Sequence, residues 1–170
     1  MRTPKLEVPR LELESAWGEV PPQRIFTTHF PGYRTFQVKV LLGGAHVGGL
    51  FAEEAPTSKC PGDLEALSEK VGQSLKVMVV QKAFLPEEMR NAGLGARLYE
   101  IALLDVAKRG YALAPSSCWQ TGMTSKDASR IWKAWRSRHV HAGSIFWGGA
   151  APNAAKIAAR HVASPSSRSC

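Results

Sequence analysis

Apolar residues recur along this chain with two different periods, and these predict strands in some segments and helices in others. Nearly continuous apolar runs cover Leu75 to Phe84 and Tyr111 to Ala114, a pattern typical of buried strands. Two further runs, 38–42 and 47–51, flank the dipeptide Gly43-Gly44 and predict a β-hairpin. These four segments are therefore predicted to be strands.

The clearest helical pattern lies between Leu94 and Arg109. Apolar residues fall there at i, i+4, i+7 and i+8, starting at Leu94, and Asp105 stands one turn before Arg109, where the two could form an ion pair. Gly110 is expected to end this helix. A second helix is predicted over 125–136.

The start of the second helix resembles a capping box. Thr124 to Asp127 is the capping segment, and apolar residues at helical spacing follow it.

A third helix is predicted earlier in the chain. Asp63 could cap this helix, which would carry Leu64, Leu67 and Val71 on one face. That segment, 61–72, is either an insertion that shapes a substrate entrance or a surface helix without a chemical role.

The two ends of the chain have weaker patterns. Residues 1–14 alternate weakly and predict a first strand interrupted at Pro9, while 15–34 are rich in Pro and Gly and are expected to be mostly irregular. Residues 139–147 predict a single closing strand. We therefore expect one domain over 1–147 and a basic tail rich in Ala and Ser over 148–170.

A glycine-spaced turn lies between the 75–84 strand and the 94–109 helix. It runs from Arg90 to Arg97, with Gly93 and Gly95 two residues apart. Two glycines let the backbone approach a ligand closely, and the first turn of a helix offers unpaired N–H donors at the positive end of its dipole. The turn fits neither a dinucleotide fingerprint nor a P-loop. It is predicted to bind a phosphate group.

The segment Arg-x-x-Gly-x-Gly at 90–95 resembles the Q/R-x-x-G-x-G/A signature of the GNAT superfamily of acyl-CoA N-acyltransferases. The resemblance covers about residues 36–147, and it is specific at 90–95 and loose elsewhere. It also has features of phage or mobile-element members. It implies an α/β (α+β) fold with a central, mixed and mostly antiparallel sheet flanked by helices, splayed at the fourth and fifth strands. The implied activity is transfer of an acyl group from acetyl-CoA directly to an amine.

The resemblance also implies which residues bind the cofactor. Backbone groups near Phe84 and Leu85 would hold the thioester and pantetheine, and Ser125 would touch the cofactor from the later helix. The backbone of 90–96 would bind the pyrophosphate, that is Arg90, Asn91, Ala92, Gly93, Leu94, Gly95 and Ala96. No metal site is expected.

Catalytic residues are not assigned by the resemblance. Many members carry a tyrosine acid on the later helix, but its counterpart here is Trp132, whose indole cannot act as a proton-transfer acid and is expected to pack in the core or against the pantetheine. Candidate bases acting through water are Glu53, Glu54, His46 and His29. A free amine with a lowered pKa could also react with water alone as the proton acceptor.

Composition limits the class of protein. The chain has 170 residues, 44% of them hydrophobic, and no apolar run near the roughly 20 residues that span a bilayer. The three cysteines have neither disulfide-framework nor zinc-ligand spacing, so a cytoplasmic protein without membrane association is expected.

The formal net charge of +8 favours anionic ligands or partners. Much of the excess lies late in the chain, where it could be a solvated face or a docking surface. Because 15–34 is too short for the two helices that usually wall the acceptor site in the family, that site would be open, or covered by a second subunit in a homodimer. We expect a macromolecular acceptor, protein rather than small molecule, with nucleic acid or tRNA as an alternative. The other alternative is a catalytically weak binding protein that acts through its basic surface.

Overall fold

The structure is a computed structural model, and it describes residues 10–21, 32–56, 61–90, 93–115 and 126–150. In this part of the chain, seven strands form an open sheet in the order β1-β2-β3-β4-β5-β7-β6, accompanied by three helices. The strands are β1 (Leu11–Glu19), β2 (Arg34–Leu42), β3 (Ala45–Ala55), β4 (Lys76–Phe84), β5 (Tyr111–Pro115), β6 (Val140–Ala142) and β7 (Ile145–Trp147). The helices are α1 (Pro61–Val71), α2 (Leu94–Ala107) and α3 (Lys126–Trp135), and Glu87–Met89 form a single 3-10 turn.

Neighbouring strands pair antiparallel with one exception, which is the parallel pair of β4 and β5. A parallel pair needs a crossover connection, and α2 supplies it. The predicted fold class is therefore confirmed: the sheet is mixed and mostly antiparallel, helices flank it, and the fourth and fifth strands separate at one end.

One face of the sheet packs against α2 and α3. Phe36, Val38 and Val40 alternate along β2 towards this face, and each is at most 1% exposed. The helix α2 contributes the predicted apolar stripe at Leu94 and Leu98, with Ile101 partly buried beside it. The period-2 strands and the period-3.6 helix therefore build one core, as their patterns predict.

Among the residues that the structure describes, the helix on the opposite face is α1, which covers part of its area. The predicted stripe of Leu64, Leu67 and Val71 is buried there against β4, β5 and the β6–β7 pair. The Lys70 ammonium group also donates to the His141 carbonyl oxygen at 2.8 Å. This helix therefore contributes to the core, and it begins at Pro61, two residues before the predicted cap at Asp63.

Two predictions about strands were wrong. Residues 15–19, expected to be irregular, belong to β1, which pairs with β2 over its whole length. The single closing strand expected over 139–147 is a hairpin of β6 and β7, because Gly143 adopts a positive φ of 57° and reverses the chain.

The ion pair expected between Asp105 and Arg109 is replaced by other contacts. Asp105 accepts hydrogen bonds from Ser15 at 2.6 Å and from the Lys108 ammonium group at 3.0 Å. The Arg109 guanidinium instead lies over the Trp17 ring, 4.3 Å from its centroid. The hydrogen bond from Ser15 to Asp105 and the contact of Arg109 with Trp17 join the end of α2 to β1.

Several predictions fall outside the described residues. These are the interrupted strand before Pro9, the capping residues Thr124 and Ser125, most of the 148–170 tail, the three cysteines and His29.

Candidate functional site

The site is built where β4 and β5 separate. The two strands pair from Lys76 opposite Tyr111 to Val80 opposite Pro115. Beyond Val80, β4 stays paired with β3, and Gln81 is an extra residue at a bulge in that ladder. Because a bulge bends and twists its strand, β4 turns away from β5 at this point.

A cleft of about 460 Å³ opens beside the separated end of β4. Its described walls come from β4 and the segment after it, from the first half of α2, from the end of β5 and from the first turns of α3. The lining residues are Val80, Gln81, Lys82, Ala83, Phe84, Leu85, Arg90, Gly95, Leu98, Tyr99, Pro115, Asp127, Ala128, Ile131 and Trp132. A volume of this size suits a small-molecule ligand.

The first turn of α2 lies beside this cleft and carries donors suited to an anion. The N-cap is Gly93, in the left-handed conformation with a φ of 76°, and no side chain caps the helix. No acidic residue lies in the first turn. The leading N–H groups of a helix have no intrahelical acceptor, so this end offers unpaired donors and a positive partial charge.

Gly95 and Arg90 shape the edge of the cleft next to that turn. A methyl group at Gly95 would meet only the Leu85 side chain, at an ordinary contact distance of 3.7 Å, so the absence of a side chain leaves space that the protein itself does not fill. The Arg90 side chain donates from Nε to the Leu85 carbonyl oxygen at 3.0 Å, which holds the guanidinium at the cleft.

Four of the residues assigned to the cofactor from the resemblance line the cleft. They are Phe84, Leu85, Arg90 and Gly95. The others differ in position: Leu94 is buried in the core, Gly93 forms the N-cap, and Ala96 is exposed in the first turn of α2. Asn91, Ala92 and Ser125 lie outside the described residues.

The aromatic wall of the cleft contains Trp132, as expected, and Tyr99, which we did not predict. Trp132 is 6% exposed and packs in the core, as one of its two expected roles requires, and it also borders the cleft. The Tyr99 ring contacts it edge-to-face, with centroids 5.5 Å apart. Burial raises the pKa of Tyr99 to about 12, so its phenol stays protonated at neutral pH. The spacing from Gly95 to Tyr99, one helical turn, is the signal that would have identified it.

The candidate bases lie elsewhere. Glu54 accepts a hydrogen bond from the Arg34 backbone N–H at 2.9 Å and lies 3.8 Å from the Lys76 ammonium group, at the opposite end of β4 from the cleft. Glu53 is buried opposite Val79 in the β3–β4 ladder, and His46 is exposed near the β2–β3 turn. Among the described lining residues of the cleft, the carboxylate is that of Asp127.

Comparison of the chain with protein-family models finds no match, and comparison with curated proteins finds none. Within the described ranges, no group of three His, Cys, Asp or Glu side chains could hold a metal ion. None of the helices that the structure describes is long and apolar enough to cross a membrane.

Proposed function

We propose that this protein is an acetyl-CoA-dependent N-acyltransferase of the GNAT type, acting in the cytoplasm on an amine acceptor. The observation that carries the proposal is that two features lie side by side. They are the N-terminus of α2, which has Gly93 as its N-cap and no side-chain cap, and the cleft beside the separated end of β4. The first feature suits a phosphate group, and the second suits an elongated chain with a reactive end.

Coenzyme A would lie with its pyrophosphate at the α2 N-terminus and its pantetheine along β4. The N–H groups of Leu94, Gly95 and Ala96 would donate to phosphate oxygens, and the Arg90 guanidinium would add a positive charge beside them. Pairing with β5 ends at Val80 among the described residues, which leaves backbone groups of 81–84 on that edge of β4 for the pantetheine amides.

In the proposed reaction, the acceptor nitrogen attacks the thioester carbonyl carbon, a new C–N bond forms, and the C–S bond breaks. The sulfur leaves as a thiolate, and the nitrogen loses its proton to water. The Tyr99 phenol is protonated and borders the cleft, so it is suited to donate a hydrogen bond to the departing sulfur. The candidate hydrogen-bond donor to the sulfur thus comes from α2, whereas the family pattern pointed to an acid on α3.

The proposed acceptor is carried on a macromolecule, with protein favoured over nucleic acid. The exposed face of α3 supports this proposal because it carries a row of basic residues beside the cleft wall. These are Lys126, Arg130 and Lys133, and Arg136 follows directly after the helix. The same helix contributes Ile131 and Trp132 to the cleft. An acceptor whose acidic surface binds the exposed face of α3 would therefore lie next to the cleft where the acyl group is transferred.

The test is transfer of labelled acetyl groups from acetyl-CoA to three sets of acceptors: small amines, protein extracts and nucleic-acid extracts. We expect labelled protein, with labelling that falls between about 0.05 and 0.3 M salt because screening weakens exposed electrostatic attraction. Labelled nucleic acid would favour the alternative acceptor. Acetyl-CoA binding without transfer to any acceptor would favour a non-catalytic binding protein.

A further inference from the structure

A second cavity, of about 290 Å³, lies beside the β2–β3 ladder. It is formed by β2, β3 and the separated end of β4. Gln37 pairs with Phe51, and Phe51 pairs with Lys82, so these three residues form one cross-strand row. Their side chains lie on the face opposite to Phe36 and Val38, which pack in the α2 core.

The same segment of β4 separates this cavity from the cofactor cleft. Lys82 and Phe84 line both spaces. Phe84 is 49% exposed, and Lys82 is exposed as well. A group held in the second cavity would therefore be one strand away from a thioester held in the first.

The lining of the second cavity combines apolar surface with positive charge. Phe51 and Phe84 supply aromatic surface, Gln37 supplies an amide, and Gly48 and Gly49 leave the β3 backbone without side chains. The ionisable side chains among the described lining residues are His46 and Lys82, and none of these residues is acidic. This chemistry complements a carboxylate attached to an apolar or extended backbone.

Gly48 lies close to the end of β4. A methyl group at Gly48 would lie 2.5 Å from the Phe84 carbonyl oxygen and 3.4 Å from the Pro86 ring. Glycine therefore allows β3 to lie directly against the end of β4, the strand segment that lines both spaces.

We propose that this second cavity binds the acceptor, and that the acceptor is an acidic peptide segment whose reactive amine lies next to a carboxylate side chain. Lys82 pairs with the carboxylate, and Phe51 and Phe84 contact the adjoining chain. The amine then faces the end of β4 where the thioester would lie. This inference rests on the proposed acyl transfer, and it names the class of substrate.

The test compares two short peptides with a free amine, identical except that one carries Glu and the other Gln beside the amine. Calorimetry measures their affinity for the protein, with and without coenzyme A. We expect the Glu peptide to bind about fivefold more tightly, as for one moderately exposed ion pair. In Lys82→Gln this preference is lost, and the two peptides bind the variant with affinities within about twofold of each other.

The matched control is Lys108→Gln, which removes the same charge from the far end of α2, about 14 Å along the helix from Tyr99, the last residue of α2 that lines the cleft. Its ammonium group, which is mostly exposed, pairs with Asp105 at 3.0 Å. This variant is expected to keep the preference for the Glu peptide.

Three results would overturn the inference. They are equal binding of the two peptides by the unaltered protein, a preference for the Glu peptide that survives in Lys82→Gln, and tighter binding of an amine-bearing nucleotide or of spermidine than of the Glu peptide. Failure of the proposed acyl transfer would appear separately, as a lack of acetyl-CoA binding or of acetyl transfer by the unaltered protein, because the peptide comparison is also made without the cofactor.

Discussion

Tyr99 and Trp132 are both buried, contact each other and border the same cleft, but they differ in chemistry. A phenol can donate a hydrogen bond to a thiolate and carries an exchangeable proton, whereas an indole N–H is a weak donor that does not transfer its proton. The Tyr99 pKa of about 12 keeps the phenol neutral, and therefore available as a donor, throughout the physiological range.

The first prediction concerns Tyr99→Phe. The change removes the hydroxyl and keeps the ring that packs against Trp132 and Trp135. We expect turnover to fall about 10²-fold, as when a positioned donor is lost at a developing anion. Acetyl-CoA affinity is expected to stay within about threefold, because the phenol acts on the departing sulfur. Steady-state rates and calorimetry on the same preparation measure both quantities, and unchanged turnover would exclude the phenol from the chemistry.

Trp132→Phe is the matched comparison, and it should behave differently. The shorter ring leaves part of the space between Tyr99 and Phe146 unfilled. We expect a loss of about 1–3 kcal/mol in the free energy of unfolding, while the folded variant retains most of its turnover. Denaturant titration together with rates at low temperature tests this. A collapse of kcat with normal stability would mean that the indole has a chemical role.

At the scale of elements, the far end of the sheet is joined by a polar network that spans four strands. Glu54 on β3 accepts from the Arg34 N–H on β2, lies near Lys76 on β4 and is hydrogen-bonded to Tyr111 on β5. Burial, followed by the Glu54 carboxylate, raises the pKa of Tyr111 to about 12. The network therefore holds β4 and β5 together at the end opposite to the cleft.

This network predicts how stability depends on alkaline pH. An unfolded tyrosine ionises near pH 10, and the folded Tyr111 near pH 12, so its contribution to stability is complete below pH 10 and is lost as the pH rises from about 10 to about 12. In Tyr111→Phe, the free energy of unfolding should therefore fall less steeply as the pH rises through this range. Urea titrations at pH 8 and pH 11 measure it, and an equally steep loss in the variant would assign the effect to Tyr99 or to other groups.

The same variant should be less stable at neutral pH. Tyr111→Phe removes a hydrogen bond to a charged and mostly buried carboxylate, for which a loss of about 1.5–3 kcal/mol in the free energy of unfolding is expected. The double variant with Glu54→Gln should lose less than the sum of the two single changes, because both residues belong to one network. Strict additivity would contradict the network.

Elements with a strong period were predictable from the sequence, and those defined by a single turn or an edge were not. The apolar stripe of α2 predicted a helix, and the apolar runs of β4 and β5 predicted strands, because burial on one or both faces leaves a regular pattern of apolar residues. Residues 15–19 lack that pattern because they lie in β1, at the edge of the sheet, where Ser15, Gly18 and Glu19 are exposed. The β6–β7 hairpin was missed because it depends on one backbone conformation, at Gly143.

The candidate site was predictable only in the part that a local motif encodes. The 90–95 turn identified the N-terminus of α2, and Phe84 and Leu85 followed from the resemblance. The bulge at Gln81, the contact of Tyr99 with Trp132 and the second cavity depend on how distant segments meet, and a single sequence does not report that.

At the scale of the whole molecule, the positive charge is distributed so that the basic face of α3 lies beside the cleft wall. Replacing Arg130, Lys133 and Arg136 with glutamine removes this charge from exposed positions and leaves the buried side of α3 unchanged. At about 0.05 M salt, we expect labelling of protein acceptors to fall severalfold, towards the level of the unaltered protein at about 0.3 M, because attraction at exposed sites is screened by salt. Acetylation of a small amine should not change. Equal loss for both acceptors would point to damage at the cleft.

The central claim is that the start of α2 binds the pyrophosphate of coenzyme A, and calorimetry with acetyl-CoA tests it most directly. Gly93→Val is less suitable because a side chain there would be strained at a φ of 76°, whereas Gly95 has room for one beside Leu85. Gly62, near the start of α1, also has open space and serves as the control. We predict micromolar to sub-millimolar binding by the unaltered protein and by Gly62→Val, at about 1 μM–1 mM, and at least about tenfold weaker binding by a folded Gly95→Val. Absence of binding by the unaltered protein, or equal affinity in folded Gly95→Val, would contradict the account.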